Sequence, residues 1–105
     1  MTRIDTLRNQ LGGPRDGALL RYALGAALLD AGAAAEAAQH LRAALAFDAR
    51  YSAAWKLLGK ACLHGGDAAG ARTAWQEGMA IATAKGDIQA AKEMRVFLAR
   101  LGSTH

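Results

Sequence analysis

The sequence predicts an all-α fold of short helices packed in antiparallel pairs, and three observations predict it. About a quarter of the 105 residues are alanine and proline occurs once; alanine has the best helix propensity and proline the worst. Valine occurs once and isoleucine three times, so strand-forming side chains are scarce. Most telling, small and apolar residues recur at one offset, 34: Leu24-Gly25 falls on Leu58-Gly59, Gly32 on Gly66, Ala37 on Ala71, Leu41 on Trp75 and Leu45 on Met79. A fixed period of that length marks a supersecondary unit laid down more than once.

Taken in order, the chain opens with a helix over residues 3–11, where Ile4, Leu7 and Leu11 share a face. Leu7 and Leu11 lie one period before Leu41 and Leu45, so this helix reads as the second half of a unit that lacks its first. Residues 12–17, Gly-Gly-Pro-Arg-Asp-Gly, form a connector. Unit one spans 18–51, with helices over 18–31 and 34–47; unit two spans 52–85, with helices over 52–64 and 68–84.

Leu20, Leu24 and Leu28 make the stripe of one first helix, and Ala54, Leu58 and Cys62 that of the next. Each first helix ends near glycine, at Gly32 and at Gly65-Gly66, as a left-handed C-terminal cap requires. Asp67 stands where an N-cap would accept orphan helix N–H groups. In the second helices the stripe runs Ala37, Leu41, Ala44, Leu45 and then Ala71, Trp75, Gly78, Met79. Two- or three-residue loops make the paired helices antiparallel neighbours.

Gly59 and Ala71 read as the point where two helices cross, with Trp75 filling wider space further along. Lys85-Gly86-Asp87 leads into a final amphipathic capping helix over 87–101, with Ala91, Met94, Leu98 and Leu101 inward. Met94 lies 36 past Leu58, which places a two-residue insertion before it. Residues 102–105 are expected to fray. The whole chain, 1–105, reads as a single domain, its size allowing burial of about 65% of the unfolded surface.

These residues resemble the tetratricopeptide repeat, with its Trp-x-x-Leu-Gly-x-x-Tyr first helix, Ala-x-x-x-Phe-x-x-Ala second helix and 34-residue period. Trp55, Leu58, Gly59, Ala71 and Trp75 carry the resemblance in unit two; Leu24, Gly25, Ala37, Leu41 and Ala44 carry it in unit one. The departures are Arg21 in place of Trp, Leu28 and Cys62 in place of Tyr, Gly78 in place of Ala, and Ala49 and Thr83 in place of the final Pro. The chain is similar to short, stand-alone bacterial members of that family. The resemblance implies a right-handed α-α superhelix of about six helices whose first helices line a concave groove.

It also implies which residues face that groove. Leu19, Tyr22, Ala23, Ala26, Leu29 and Asp30 would come from unit one; Ala53, Lys56, Leu57, Lys60, Leu63 and His64 from unit two; Gln89, Lys92, Glu93, Val96 and Arg100 from the last helix. They lie about 100–150° from the apolar stripes on a helical wheel and so serve a different contact. Tyr22, Ala26, Leu29, Lys56, Lys60, His64, Lys92 and Arg100 are the candidate peptide-binding residues. Lys56 and Lys60, four apart on one face, are either a solvated basic face or, with Lys92 and Arg100, a site for a partner's acidic residues or C-terminal carboxylate. Some family members clamp such a carboxylate with Lys and Asn; here Tyr22, Ala26 and Lys60 stand at the corresponding positions, so a looser acidic-peptide groove is expected. Leu57 and Leu63 would either floor the groove or pack on the neighbouring unit. Asp30 and His64 could form a surface pair; His40 is expected to be solvated, and Cys62 to be a small core residue.

The net charge of +4 and pI of about 9.7 permit an acidic partner without demanding nucleic acid. One cysteine points to a reducing compartment, and the N-terminus lacks the apolar stretch of a secretory signal, so a cytoplasmic location is expected. No phosphate-binding, zinc-protease or nucleophile-elbow motif occurs, and the carboxylates are scattered, so no catalysis, metal or cofactor is expected. The expected function is a non-catalytic protein–protein interaction module that holds a partner's peptide segment in a concave, partly basic groove. Two alternatives stand beside it. One is a self-assembling subunit, monomer or weak homodimer, associating through residues 3–11 or through Val96, Phe97 and Leu98. The other is single-stranded RNA binding, disfavoured by the near absence of stacking aromatics in the groove.

Overall fold

The computed structural model describes residues 1–103, and every regular element among them is helical. The helices are α1 (Arg3–Arg8), α2 (Ala18–Asp30), α3 (Ala34–Phe47), α4 (Ser52–His64), α5 (Ala68–Lys85) and α6 (Ile88–Ser103). Each packs on its neighbour in sequence, and α4 also touches α2 and α6. The first helices of successive pairs therefore lie side by side, in a slab of 41 × 29 × 18 Å.

The glycines expected at helix crossings sit in tight contacts. A Cβ on Gly25 would lie 2.7 Å from Leu41 Cγ across the α2–α3 interface. At Gly59, one period later, a Cβ would lie 2.6 Å from Trp75 Cδ1 and nearer still to Cε2 and Nε1. Trp75 thus lies directly over Gly59 instead of filling space further along. The missing side chain also uncovers the α4 backbone, and Trp75 Nε1 donates to the Lys56 carbonyl at 3.0 Å. At Gly78 a Cβ would meet Trp55 Cβ at 2.5 Å and Met94 Sδ at 2.6 Å, so three helices converge there.

The stripe residues follow their period into the core: Leu24, Ala37, Leu41, Ala44, Ala54, Ala71 and Met94 are fully enclosed. Three helix ends share one device. Gly32, Gly66 and Gly86 all have φ near +80°, a region glycine enters freely. At each, the glycine N–H and the next N–H reach back to two carbonyls of the last turn, as at Gly66 N to Leu63 O (3.1 Å) and Asp67 N to Cys62 O (2.8 Å). Asp67 Oδ1 then accepts from Gly70 N at 2.8 Å and starts α5. Asp87 accepts more loosely from Ala90 N at 3.3 Å, next to α6.

Two boundaries differ from expectation. α1 ends at Arg8, because the chain tightens into i→i+3 turns through Gln10 and Leu11 before Gly12 at φ +77°. α6 runs on through Gly102 to Ser103; residues 104 and 105, expected to fray, lie outside the described residues. The two-residue shift before α6 arises because α5 has 18 residues against 14 in α3, while the connector after it is shorter.

Arg21, which stands where the repeat pattern has Trp, replaces packing with a charged network. Asp16 in the connector receives Arg21 Nε at 2.8 Å and Nη2 at 2.9 Å, plus Gly12 N at 3.0 Å. Arg21 also reaches His40 Nδ1 at 3.5 Å, His40 lies 3.7 Å from Glu36, and Glu36 receives Arg8 of α1 at 2.5 Å. His40 is accordingly enclosed between charged neighbours, not solvated as expected, and burial pulls its pKa down. The Arg21 hydrogen bonds hold the Asp16 carboxyl far below the usual carboxylate range.

Two outcomes are expected. Gly59→Ala should destabilise by about 1–3 kcal/mol in urea unfolding, since overpacking against a rigid indole outweighs the helix-propensity gain of up to about 1 kcal/mol. Gly25→Ala should cost less, because Leu41 is flexible; equal or opposite effects would contradict the crossing geometry. For Asp16 the depressed pKa means its contribution is complete above the ordinary value of 3.8 and is lost as pH falls below it. The gap in thermal midpoint between wild type and Asp16→Asn should therefore be largest near neutrality and shrink on acidification towards about pH 2.

Candidate functional site

α2, α4 and α6 are parallel first helices, so their C-terminal ends meet at one end of the face they share. A cleft of about 540 Å³ opens there. Its floor is apolar: Leu29 from α2, Leu57 and Leu63 from α4, Trp75 from α5, Phe97 and Leu101 from α6. The rim is polar, with Asp30, Lys60, His64 and Arg100. Ligand sites combine these two features, an apolar floor for affinity and a few polar groups for orientation.

The aromatic part of the floor is braced. Phe97 lies against Trp75 with ring centroids 5.2 Å apart. Lys60 Nζ sits 4.9 Å from the centroid of the Phe97 ring, a cation–π contact that holds the ammonium at the cleft mouth. Trp75 is itself fixed by its bond to the Lys56 carbonyl. Leu63 keeps 41% of its surface exposed. Leu57 and Leu63 both line this cleft, and Leu57, half-buried, also packs against the core.

The eight candidate residues divide. Leu29, Lys60, His64 and Arg100 line the cleft; Tyr22, Ala26, Lys56 and Lys92 do not. Tyr22 stacks on Tyr51 at 5.0 Å between centroids, beside the α3–α4 connection, while Leu19, also expected in the groove, is 73% exposed. Lys56 is paired with Glu93 of α6 at 3.1 Å, both partners about one-third exposed. Ala26 lies beside a separate shallow hollow under α1, with Arg3 and Ile4. Lys92 is exposed on α6.

Trp75, Phe97 and Leu101 were not among the groove residues expected from the sequence. Trp75 belongs to a second helix, and reaches the cleft only because Gly59 leaves room for its indole. Phe97 and Leu98, expected on a self-association face, are half-buried, and Phe97 turns inward to Trp75. The signal that could have found Phe97 is its adjacency to Val96 and Arg100 on a helix whose register is shifted by two.

Cys62 is buried in α4, and burial pushes its thiol pKa up, although Arg42 Nη2 lies 3.5 Å from Sγ. A thiol held in its protonated form is a poor nucleophile. Among the described residues no three His, Cys, Asp or Glu side chains converge in a metal-binding arrangement, and no helix is long and apolar enough to cross a membrane.

No family model matches the chain. It is 53% identical over 98 residues to a TPR repeat-containing protein of Pseudomonas aeruginosa, the match covering 93% of each chain. The solution structure of a Bordetella parapertussis protein, 44% identical, superposes with a TM-score of 0.86 over 99% of this chain and 90% of that one.

The buried thiol supplies a check on the fold around the cleft. Reaction of Cys62 with a disulfide reagent near pH 8 should be at least ~100-fold slower in the native chain than in urea, because access requires opening of α4. Comparable rates in both states would contradict the enclosed position.

Proposed function

The chain belongs to the tetratricopeptide repeat family, and from that premise we propose that it is a protein-interaction module whose concave cleft receives a peptide segment of a partner. The observation that carries the reading is an apolar floor left open to solvent, with Leu63 exposed and Phe97 and Trp75 braced beneath it, at the junction of three first helices. A core-packing role would have covered Leu63.

Two features favour this reading over its alternatives. Phe97 faces the cleft, which removes the largest apolar side chain from the proposed self-association surface of α6. The groove aromatics are already engaged, Tyr22 with Tyr51 and Phe97 with Trp75, which leaves little stacking platform for bases. Of the basic candidates, Lys60 and Arg100 line the cleft, and Lys56 is paired with Glu93.

Selection of a displayed random dodecapeptide library on the folded chain tests the proposal. Enriched peptides should bind in the micromolar range, about −8 kcal/mol. They should weaken at least tenfold on a Lys60→Glu/Leu63→Asp variant whose circular dichroism matches wild type. No enrichment, or binding indifferent to that variant, would overturn it.

A further inference from the structure

We infer that the two ends of the chain are the missing halves of one helix pair, and that Arg3 and Arg95 keep a second copy from joining them head to tail. α1 matches the second helices: 34 residues on from Arg3, Leu7 and Leu11 stand Ala37, Leu41 and Leu45 of α3. α6 matches the first helices, with Met94, Arg95 and Leu98 each 36 past Leu58, Gly59 and Cys62 of α4. α1 packs on α2 and has no first helix before it; α6 packs on α5 and α4 and has no second helix after it. A copy placed end to end would set its α1 against α6 of the copy before and complete a pair. Repeating that operation gives an open chain, because the two surfaces differ.

The faces that would meet keep part of the apolar pattern: Ile88 is 58% exposed, and Leu98 and Leu7 are half-buried. What they lack is the point of close approach. In the pair α2–α3 a Cβ on Gly25 would lie 2.7 Å from Leu41 Cγ and 3.4 Å from the Ala37 carbonyl oxygen. Ala37 and its equivalent Ala71 are fully enclosed. At the junction of two copies the glycine position is Arg95 and the alanine position is Arg3, both exposed.

Two guanidinium groups would therefore meet where the interior pairs have no room for a methyl group. Their bulk holds the helices apart, and their like charge opposes the encounter. Among the described residues neither arginine is in an ion pair. Asp5, the acid of α1, lies two residues on from Arg3, about 200° round the helix, and is held by Thr2 N. Asp30 of α2 borders the same hollow as Arg3 without pairing to it. Specificity of this kind works by excluding a partner. It limits the concave face to the three first helices of one chain.

Sedimentation velocity over a concentration series tests this on the full chain. Wild type, Arg3→Ala and Arg95→Gly should each sediment as monomers, since each keeps an arginine at the junction. An equal mixture of the two single variants should form dimers only, because α6 of one and α1 of the other make a single junction free of arginine. Arg3→Ala/Arg95→Gly should form longer chains, its weight-average mass rising at least threefold. Arg3→Ala/Arg95→Ala, which spares α6 the helix cost of glycine, should associate more weakly but above wild type. Circular dichroism of each variant should match wild type. Monomer mass for both double variants overturns the complementarity of the ends. Wild type associating as strongly as the double variants overturns the role of the arginines. Single variants that oligomerise alone, or a mixture that yields no dimer, overturn the head-to-tail geometry. Peptide binding in the cleft is read separately, so the two proposals fail independently.

Discussion

Close approach of the two helices in each pair, at Gly25 against Leu41 and at Gly59 against Trp75, is the constraint on which the molecule is built. A single methyl group at either position meets its partner inside van der Waals distance, so the interaxial spacing is set by the absence of a side chain. With the spacing fixed twice, 34 residues apart, the pairs stack in the same orientation and α2, α4 and α6 come to lie side by side. The register of α6 shows the same constraint by its absence. Position 95, which is 36 past Gly59, is an exposed arginine, and no described helix packs on that side. A long charged side chain suits the end of an array, where a glycine would serve no contact.

Helix termination then decides where the site falls. Gly32 and Gly66 end α2 and α4 at equivalent points, and their backbone bonds satisfy carbonyls that would otherwise face the cleft unpaired. The chain turns away immediately after each, and Leu63 keeps 41% of its surface exposed. The extra length of α5 moves α6 by two residues relative to α4. That shift brings Phe97 beside Trp75 and Arg100 to the rim. The cleft is therefore a product of two short loops and one long helix.

The division of the concave face has an energetic logic. Surface ion pairs such as Lys56–Glu93 contribute about 0–1 kcal/mol each, so they matter little for stability. Under the proposed docking role they would matter for recognition, because a partner's carboxylate would have to displace Glu93 before pairing with Lys56. Lys60 instead rests over the Phe97 ring, at 4.9 Å from its centroid. Arg21 illustrates the same substitution of charge for packing at the N-terminal end. In place of an indole, a bidentate pair with Asp16 fastens the connector, and through His40 and Glu36 the network extends to Arg8 of α1.

Sequence by itself determined the helices, their pairing and the period, because these depend on local propensity, on stripes of apolar residues and on glycine at the turns. Leu24, Leu41, Ala54 and Met94 were legible as core for that reason, and Leu29, Lys60, His64 and Arg100 were legible as facing the groove. Only the tertiary structure decided which groove residues are engaged by contacts within the chain. Tyr51 lies in a connector, Glu93 in a helix of shifted register and Trp75 on the opposite helix of its pair, so no periodicity in the chain announces that they meet Tyr22, Lys56 and Phe97. Those meetings depend on how far α5 extends and on how closely α4 and α5 approach, both of which are set in three dimensions by packing at Gly59 and Gly78.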